Sequence, residues 1–162
     1  MMSPVNPQPP SSGNDEQWMQ YALHLAEQAA SVDEVPVGAV LVHENKVIGE
    51  GYNQPIALSD PTAHAEIIAL RAAGKVIGNY RLPGSTLYVT LEPCSMCAGA
   101  MLHARIERLV FGARDPKTGV VGGVMNLFEV RQWNHQVACT PGVLEEPCRK
   151  LLQSFFKAKR QK

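Results

Sequence analysis

The sequence predicts an α/β domain in which a mixed central sheet is covered by helices on both faces. Three observations carry this expectation. The β-branched, apolar runs Val37–Val42 and Lys46–Tyr52 are separated by Glu44 and Asn45 and read as a hairpin. Beyond the hairpin, strand-like runs alternate with helical periods, which suits a layered sheet. Two short signatures of metal-ligating residues, His64-Ala65-Glu66 and Pro93-Cys94-Ser95-Met96-Cys97, fall at the starts of successive helices, so both N-termini can converge over one sheet end.

The elements follow in order. Residues 1–13 contain Pro4, Pro7, Pro9 and Pro10 with Ser and Gly, a composition that cannot bury enough surface to order itself, and a flexible tail is expected ahead of a single domain at 14–162. From Asp15 to about Ala30, Trp18, Tyr21, Ala22, Leu25, Ala26 and Ala29 recur at three and four, giving a helix with one buried stripe, capped by Asn14 or Asp15. After the hairpin, Asp60-Pro61 reads as a helix start, with Asp as N-cap and Pro in the first turn, and Gly74 as a possible stop. Thr86–Leu91 reads as a strand leading into the helix Ser95–Arg105, and Leu109–Gly112 as a second buried strand. The loop 113–123 is rich in glycine and lies where substrate contacts tend to sit. A last strand at His135–Thr140 and a closing helix from Leu144 to about Lys159 complete the expectation.

Composition narrows the function classes. With 162 residues, 45% hydrophobic and 19% charged, the chain fits one globular domain. A formal net charge of zero excludes a globally basic nucleic-acid binder, yet the charge is uneven. From Arg149 onward the chain holds Arg149, Lys150, Lys157, Lys159, Arg160 and Lys162 and no acid, with Phe155 and Phe156 among them, which suits a surface that meets phosphates and bases. Of four cysteines, two belong to the metal signature; Cys139 and Cys148 are expected as buried, small apolar residues, and a disulfide framework is excluded. No basic region precedes an apolar run at the N-terminus and no stretch approaches about 18 apolar residues, so secretion and membrane spanning are not indicated and a cytoplasmic location is expected.

The two signatures propose a reaction as well as a metal. A closed structural zinc site takes four protein ligands, whereas a hydrolytic one keeps three and leaves a position for water. His64, Cys94 and Cys97 make three. Glu66 is placed to carry the proton that an activated water must lose. Residues two apart on a regular helix point about 200° from one another, so His64 and Glu66 can serve one ion only near a helix end. Cys94 and Cys97, at i and i+3, put both sulfurs on one side of a first helical turn, where N–H groups and the helix dipole favour thiolates. The joint pattern, with Pro before the first Cys and 29 residues between His64 and Cys94, matches the zinc-deaminase signature.

The segments Asp60–Glu66, Thr90–Ala100 and Phe111–Gly119 together resemble the bacterial tRNA-specific adenosine deaminases, from about residue 15 to about residue 160. That resemblance places the chain in the cytidine and deoxycytidylate deaminase superfamily and implies its three-layer α/β/α fold. It implies one zinc per subunit on His64, Cys94 and Cys97, and attack by activated water on C6 of the wobble adenosine in the tRNA anticodon loop, giving inosine and ammonia. Glu66 would then shuttle protons from the water to N1 of the ring and to the departing amine. By the same resemblance Asn53 holds the flipped nucleotide, Pro36, Val37 and Ala65 line the base pocket, Asp115 and Lys117 meet the RNA backbone and ribose, and Phe156 lies near the anticodon loop. A homodimer whose RNA site draws on both subunits is implied as well. The first 13 residues and Val124–Trp133 match no family motif.

Two other readings share some of these residues. A deaminase of a free base, nucleoside or nucleotide, such as cytidine, deoxycytidylate or guanine, uses the same zinc and glutamate; the Asp115–Gly119 loop and the basic C-terminal helix argue for a larger substrate. A non-catalytic zinc RNA-binding module needs a fourth ligand, from His103, His135, Cys139 or Cys148.

Overall fold

The computed structural model describes residues 7–161. Within the expected tail, residues 7–13 form neither helix nor strand; the expectation for 1–6 lies outside the described residues. The ordered elements are α1 (Asp15–Ser31), β1 (Gly38–His43), β2 (Lys46–Tyr52), α2 (Pro55–Leu58), α3 (Ala65–Ile77), β3 (Thr86–Leu91), α4 (Ser95–Ala104), β4 (Arg108–Ala113), a 3-10 turn at Leu127–Glu129, β5 (Ala138–Thr140) and α5 (Glu145–Arg160).

The five strands form one mixed sheet in the order β2-β1-β3-β4-β5. β1 runs antiparallel to β2 and β3, whereas β3, β4 and β5 are parallel. Alternation along the strands sorts the core into two layers. Ala39, Leu41, Leu87, Val89, Leu109 and Phe111 pack with the apolar faces of α3 and α4. Val40, Val42, Tyr88 and Val110 pack instead with Trp18, Met19 and Leu25 of α1 and with Cys148 of α5. The central strands are apolar on both sides because both sides are covered, so they read as continuous runs. Gly38 and Gly49 are where helices come closest: a Cβ on Gly38 would strike the α1 backbone at Ala22 and Ala26, and one on Gly49 the α3 backbone at Ala69 and Ala73.

Helix α1 begins as the sequence indicates. Asn14 Oδ1 accepts the Gln17 N–H at 3.0 Å and Gln17 Oε1 accepts the Asn14 N–H at 2.9 Å, a reciprocal capping box. The Asp15 carboxylate then ties the helix start to the sheet, accepting from Arg108 Nη1 at 2.9 Å and Nη2 at 2.6 Å and from the Tyr88 hydroxyl at 2.9 Å.

The second expected helix start is corrected. Asp60 does not cap a helix: its carboxylate closes a local turn on the Thr62 N–H at 2.8 Å and the Thr62 hydroxyl at 2.7 Å, and α3 starts only at Ala65. Asp and Thr side chains that bond nearby backbone offer an alternative to helix, and here that alternative wins. The chain between β2 and this turn forms the short α2, which the sequence reading did not anticipate. Nor does Gly74 end α3, which continues to Ile77 and stops at Gly78, whose φ of 74° suits glycine. The expected strand His135–Thr140 shrinks to three residues, and His135 instead directs Nε2 to the Ile106 carbonyl oxygen at 2.6 Å. Cys148 is buried as expected, but Cys139 is exposed: it lies on the short edge strand β5, whose residues are exposed or half-buried.

Candidate metal centre and its surroundings

His64 is the N-cap residue of α3, with the extended backbone angles φ −72° and ψ 155°. Cys94 occupies the same position on α4, with φ −79° and ψ 175°, and Cys97 lies within that helix's first turn. The extended residue at each helix start turns its side chain out of the helical screw, which brings the two helix N-termini to face one another. His64 Nδ1 stands 3.6 Å from both the Cys94 and the Cys97 sulfur, and the three donor atoms all lie within 4.8 Å of one another. The spacing is informative. A tetrahedral centre with about 2.3 Å to sulfur and about 2.0–2.1 Å to nitrogen requires nitrogen and sulfur to be about 3.6 Å apart. Two sulfurs and one imidazole at that separation fit zinc in donor type and in distance.

Among the described residues, no fourth His, Cys, Asp or Glu joins this group. His135 is engaged by the Ile106 carbonyl, Cys148 packs on the opposite face of the sheet, and Cys139 and His103 are exposed. The arrangement of a closed four-ligand site is therefore not present.

Glu66 is the second residue of α3 and is only 4% exposed. Burial raises its carboxyl pKa, a rise moderated by a hydrogen bond from its own backbone N–H and by the nearby His64. The two thiols are inequivalent. The hydrogen bond from Cys97, with help from His64, brings Cys94 down to about 4 against the opposing effect of burial. Cys97 is pushed upward by the same hydrogen bond and by burial. The two opposite shifts are those of a metal-free pair, in which a second negative charge would stand beside the first and beside Glu66. His64 is raised, first by its hydrogen bond to Cys94. A divalent cation would supply the charge that this donor set lacks.

Asn53, immediately after β2, is buried, and its Oδ1 accepts the Ala65 N–H at 2.8 Å. It therefore caps α3 beside His64 and leaves its NH2 as the group available to a ligand. The Asn53 N–H in turn donates to the Val37 carbonyl at 3.1 Å, which draws Pro36 and Val37, both buried, to the same sheet end. Ala65, fully buried, completes that set.

Asp115, Lys117 and Phe156 are brought together elsewhere. With Arg114, Arg149 and Arg160 they line a groove of about 740 Å³ between α5 and the loop after β4. Asp115 folds that loop: Oδ1 accepts the Lys117 and Thr118 N–H groups at 3.1 Å and Oδ2 accepts the Thr118 hydroxyl at 2.7 Å. Phe156 is 44% exposed and meets Phe155 edge-to-face with centroids 5.5 Å apart.

Two buried carboxylates escaped the sequence reading. Glu34, 2% exposed, accepts the N–H groups of Ile56 at 3.2 Å and Ala57 at 2.8 Å and so holds α2. Glu92, also 2% exposed, accepts three N–H groups from the 113–123 loop. Glu92 was visible as part of Glu-Pro-Cys, but nothing in its spacing disclosed partners 23 to 31 residues away.

Comparison with known proteins agrees with this geometry. Residues 13–160 match the family model of MafB19-like deaminases. The chain is 57% identical over 148 residues to a tRNA-specific adenosine deaminase of Haemophilus influenzae, covering 91% of this chain and 86% of that protein. It is 46% identical over 148 residues to a tRNA-specific adenosine deaminase of Bacillus subtilis, covering 91% and 92%. A structure solved in a study of A-to-I editing by tRNA:A34 deaminases at the wobble position of transfer RNA superposes with a TM-score of 0.81 at 45% identity, covering 83% of this chain and 98% of that one.

Proposed function

The chain belongs to the MafB19-like deaminases and, with relatives at this identity over most of its length, to the tRNA-specific adenosine deaminases, and from that premise we propose that it hydrolyses the wobble adenosine of a tRNA anticodon loop to inosine and ammonia. One observation supports this above the others: three donors at zinc spacing, no fourth among the described residues, and a buried carboxyl on the adjoining turn.

His64 Nδ1 and the Cys94 and Cys97 sulfurs would hold the zinc. When bound, that ion supplies Lewis acidity and lowers the pKa of a water toward 7. Glu66 accepts one proton from the attacking water and delivers it to N1 of the purine as the C6–O bond forms. It then takes the remaining hydroxyl proton and hands it to the exocyclic nitrogen, so the C6–N bond breaks with loss of ammonia and the C6 oxygen ends as a carbonyl. The carboxyl finishes in the state in which it began. Its burial keeps bulk water from competing for those protons.

Asn53, through its free NH2, holds the flipped nucleotide, and Pro36, Val37 and Ala65 form the wall against the base. The groove carrying Lys117, Asp115 and Phe156 takes the flanking backbone and a stacked base. A homodimer is part of the same reading: two adjoining clefts of about 370 and 400 Å³ on the outer side of α3 and α4 share Tyr80 and His103, and Tyr80 and Trp133 expose ring surface there that a second copy of the chain would cover. Among the described residues, no helix is long and apolar enough to cross a membrane. A cytoplasmic site of action, where tRNA is found, belongs to the same proposal.

The deciding experiment incubates the zinc-loaded protein with an anticodon stem-loop bearing a wobble adenosine, and separately with free adenosine, cytidine and guanine, and measures inosine and ammonia. Turnover confined to the stem-loop is expected. Turnover of a free base or nucleoside with the stem-loop untouched would replace the proposal by the small-substrate reading.

A further inference from the structure

The Glu92 carboxylate sits between the end of β3 and the segment Cys94–Cys97. Among the described residues it has no Lys, Arg or His within ion-pair distance. A carboxylate buried without a cation is costly unless hydrogen bonds replace its water. Here they come from one loop. Oε1 accepts the Asp115 N–H at 3.1 Å, and Oε2 accepts the N–H groups of Val121 at 3.0 Å and Gly123 at 2.8 Å. The backbone on either side is stitched to the same loop: the Glu92 N–H donates to the Ala113 carbonyl at 2.8 Å, and the Val120 N–H to the Pro93 carbonyl at 3.0 Å. Gly119 and Gly123 allow this closeness, since a Cβ on either would collide with Oε2.

The carboxylate is therefore satisfied only while the loop is closed upon it, and the loop it closes carries Asp115 and Lys117 of the basic groove. We propose that Glu92 is a positioning residue that fixes the groove loop in register with the Cys94–Cys97 segment, so that RNA engagement depends on it while the chemical step does not. The proposal rests on the reading of the groove as an RNA surface. Among the described residues Glu92 belongs neither to the group of candidate metal donors nor to the lining of the groove.

The test is Glu92→Gln, which keeps the size. A Gln can still present its single oxygen to Val121 and Gly123, but its NH2 then opposes the Asp115 N–H, so the Asp115 end is released. One lost charge-assisted bond with an unsatisfied donor corresponds to about a tenfold rise in KM for the stem-loop, with kcat held within about twofold. Glu92→Asp, which keeps the charge but draws the carboxylate back from the loop amides, should reproduce the same split and guards against an effect of the lost charge alone. Hydrogen exchange gives a readout independent of the substrate: in Glu92→Gln the Asp115 amide should exchange about tenfold faster than in the parent, with Val121 and Gly123 less affected and zinc content unchanged. Unchanged exchange at Asp115 overturns the clamp. Faster exchange with unaltered KM overturns its connection to RNA, and a fall in kcat at constant KM would move Glu92 into the chemistry. Failure of the parent protein to act on the stem-loop would count against the functional reading alone, because the exchange result would still stand.

Discussion

The groove between α5 and the loop after β4 yields a prediction whose size follows from its ion pairs. Five cationic side chains line it: Arg114, Lys117, Arg149, Lys157 and Arg160. Two are partly neutralised, Arg114 by Glu145 at 4.0 Å and Arg149 by Glu146 one turn earlier on α5. Among the described residues Lys117, Lys157 and Arg160 have no acidic partner within ion-pair distance, so their counterions are the ones an RNA phosphate would release. Each phosphate contact contributes about 0.7 to 0.9 to the slope of log affinity against log salt. Replacing all three by Gln should therefore flatten the slope by about 2. The affinity gap between the parent and the triple variant should shrink about tenfold between about 0.1 and 0.3 M KCl. Fluorescence anisotropy of a labelled anticodon stem-loop over that range measures it. A slope unchanged within error, with the variant folded, would show that these cations do not meet phosphate, and the C-terminal helix would then be an ordinary solvated face.

Two further outcomes are expected. Glu66→Gln should lower turnover of the stem-loop by about 10² to 10⁴, the usual contribution of a positioned general acid/base, while zinc content by atomic absorption stays at the parent level; undiminished turnover in the metal-loaded variant would remove the proton-carrier role. Asp15→Asn should cost about 1 to 2 kcal/mol at neutral pH, allowing for screening of a half-exposed pair, which lowers Tm by about 2 to 8 °C for a chain of this size. The Arg108 hydrogen bonds hold the Asp15 pKa below its ordinary value, so this stability is complete above the unfolded pKa of about 3.9 and is lost as pH falls through the lower folded value. Melting curves should accordingly differ at pH 6, and the difference should narrow progressively as pH falls below the unfolded value of about 3.9; a difference that does not narrow would rule out the charge as the source.

The sequence made the layered sheet legible because its signals are local: alternating or continuous apolar runs for the strands, a three-and-four period for α1, Asn14 and Gln17 for its cap. The metal donors were legible because Cys94 and Cys97 lie within one turn and His64 precedes a clear helical period. What escaped is non-local or competitive. Asp60 is as good a cap as Asn14 in isolation, and only the competing bond to Thr62, together with Asn53 reaching the Ala65 N–H from another element, decides where α3 begins. Glu34 and Glu92 look like solvated acids in the sequence; burial and the backbone groups that approach from distant segments give them their role. Cys139 was misjudged because burial of a small residue depends on what crosses over its strand, and the edge strand β5 is left largely exposed.

The proposed reading assigns metal chemistry and substrate recognition to different parts of this fold. The three donors sit at the starts of α3 and α4, whose positions are set by the core through Ala65, Ala69, Cys97 and Ala98, and a shift of either helix would open the 3.6 Å spacing that a small divalent ion requires. The groove is lined by a surface helix and a glycine-rich loop, neither of which contributes a donor. If the groove takes RNA as proposed, a change of side chain along Lys117, Phe156 or Arg160 would alter which nucleic acid is held without disturbing the attack on C6, whereas a change at the centre would not select among RNAs. The join between the two is narrow: it runs through Glu92, Pro93 and the hydrogen bonds they make to Asp115, Val120, Val121 and Gly123. On the proposed reading, discrimination between a tRNA loop and a free nucleoside, which share the same reacting ring, would be transmitted across that join or through Asn53 and the Pro36–Val37 segment, because Asn53 bonds both the start of α3 and the Val37 carbonyl.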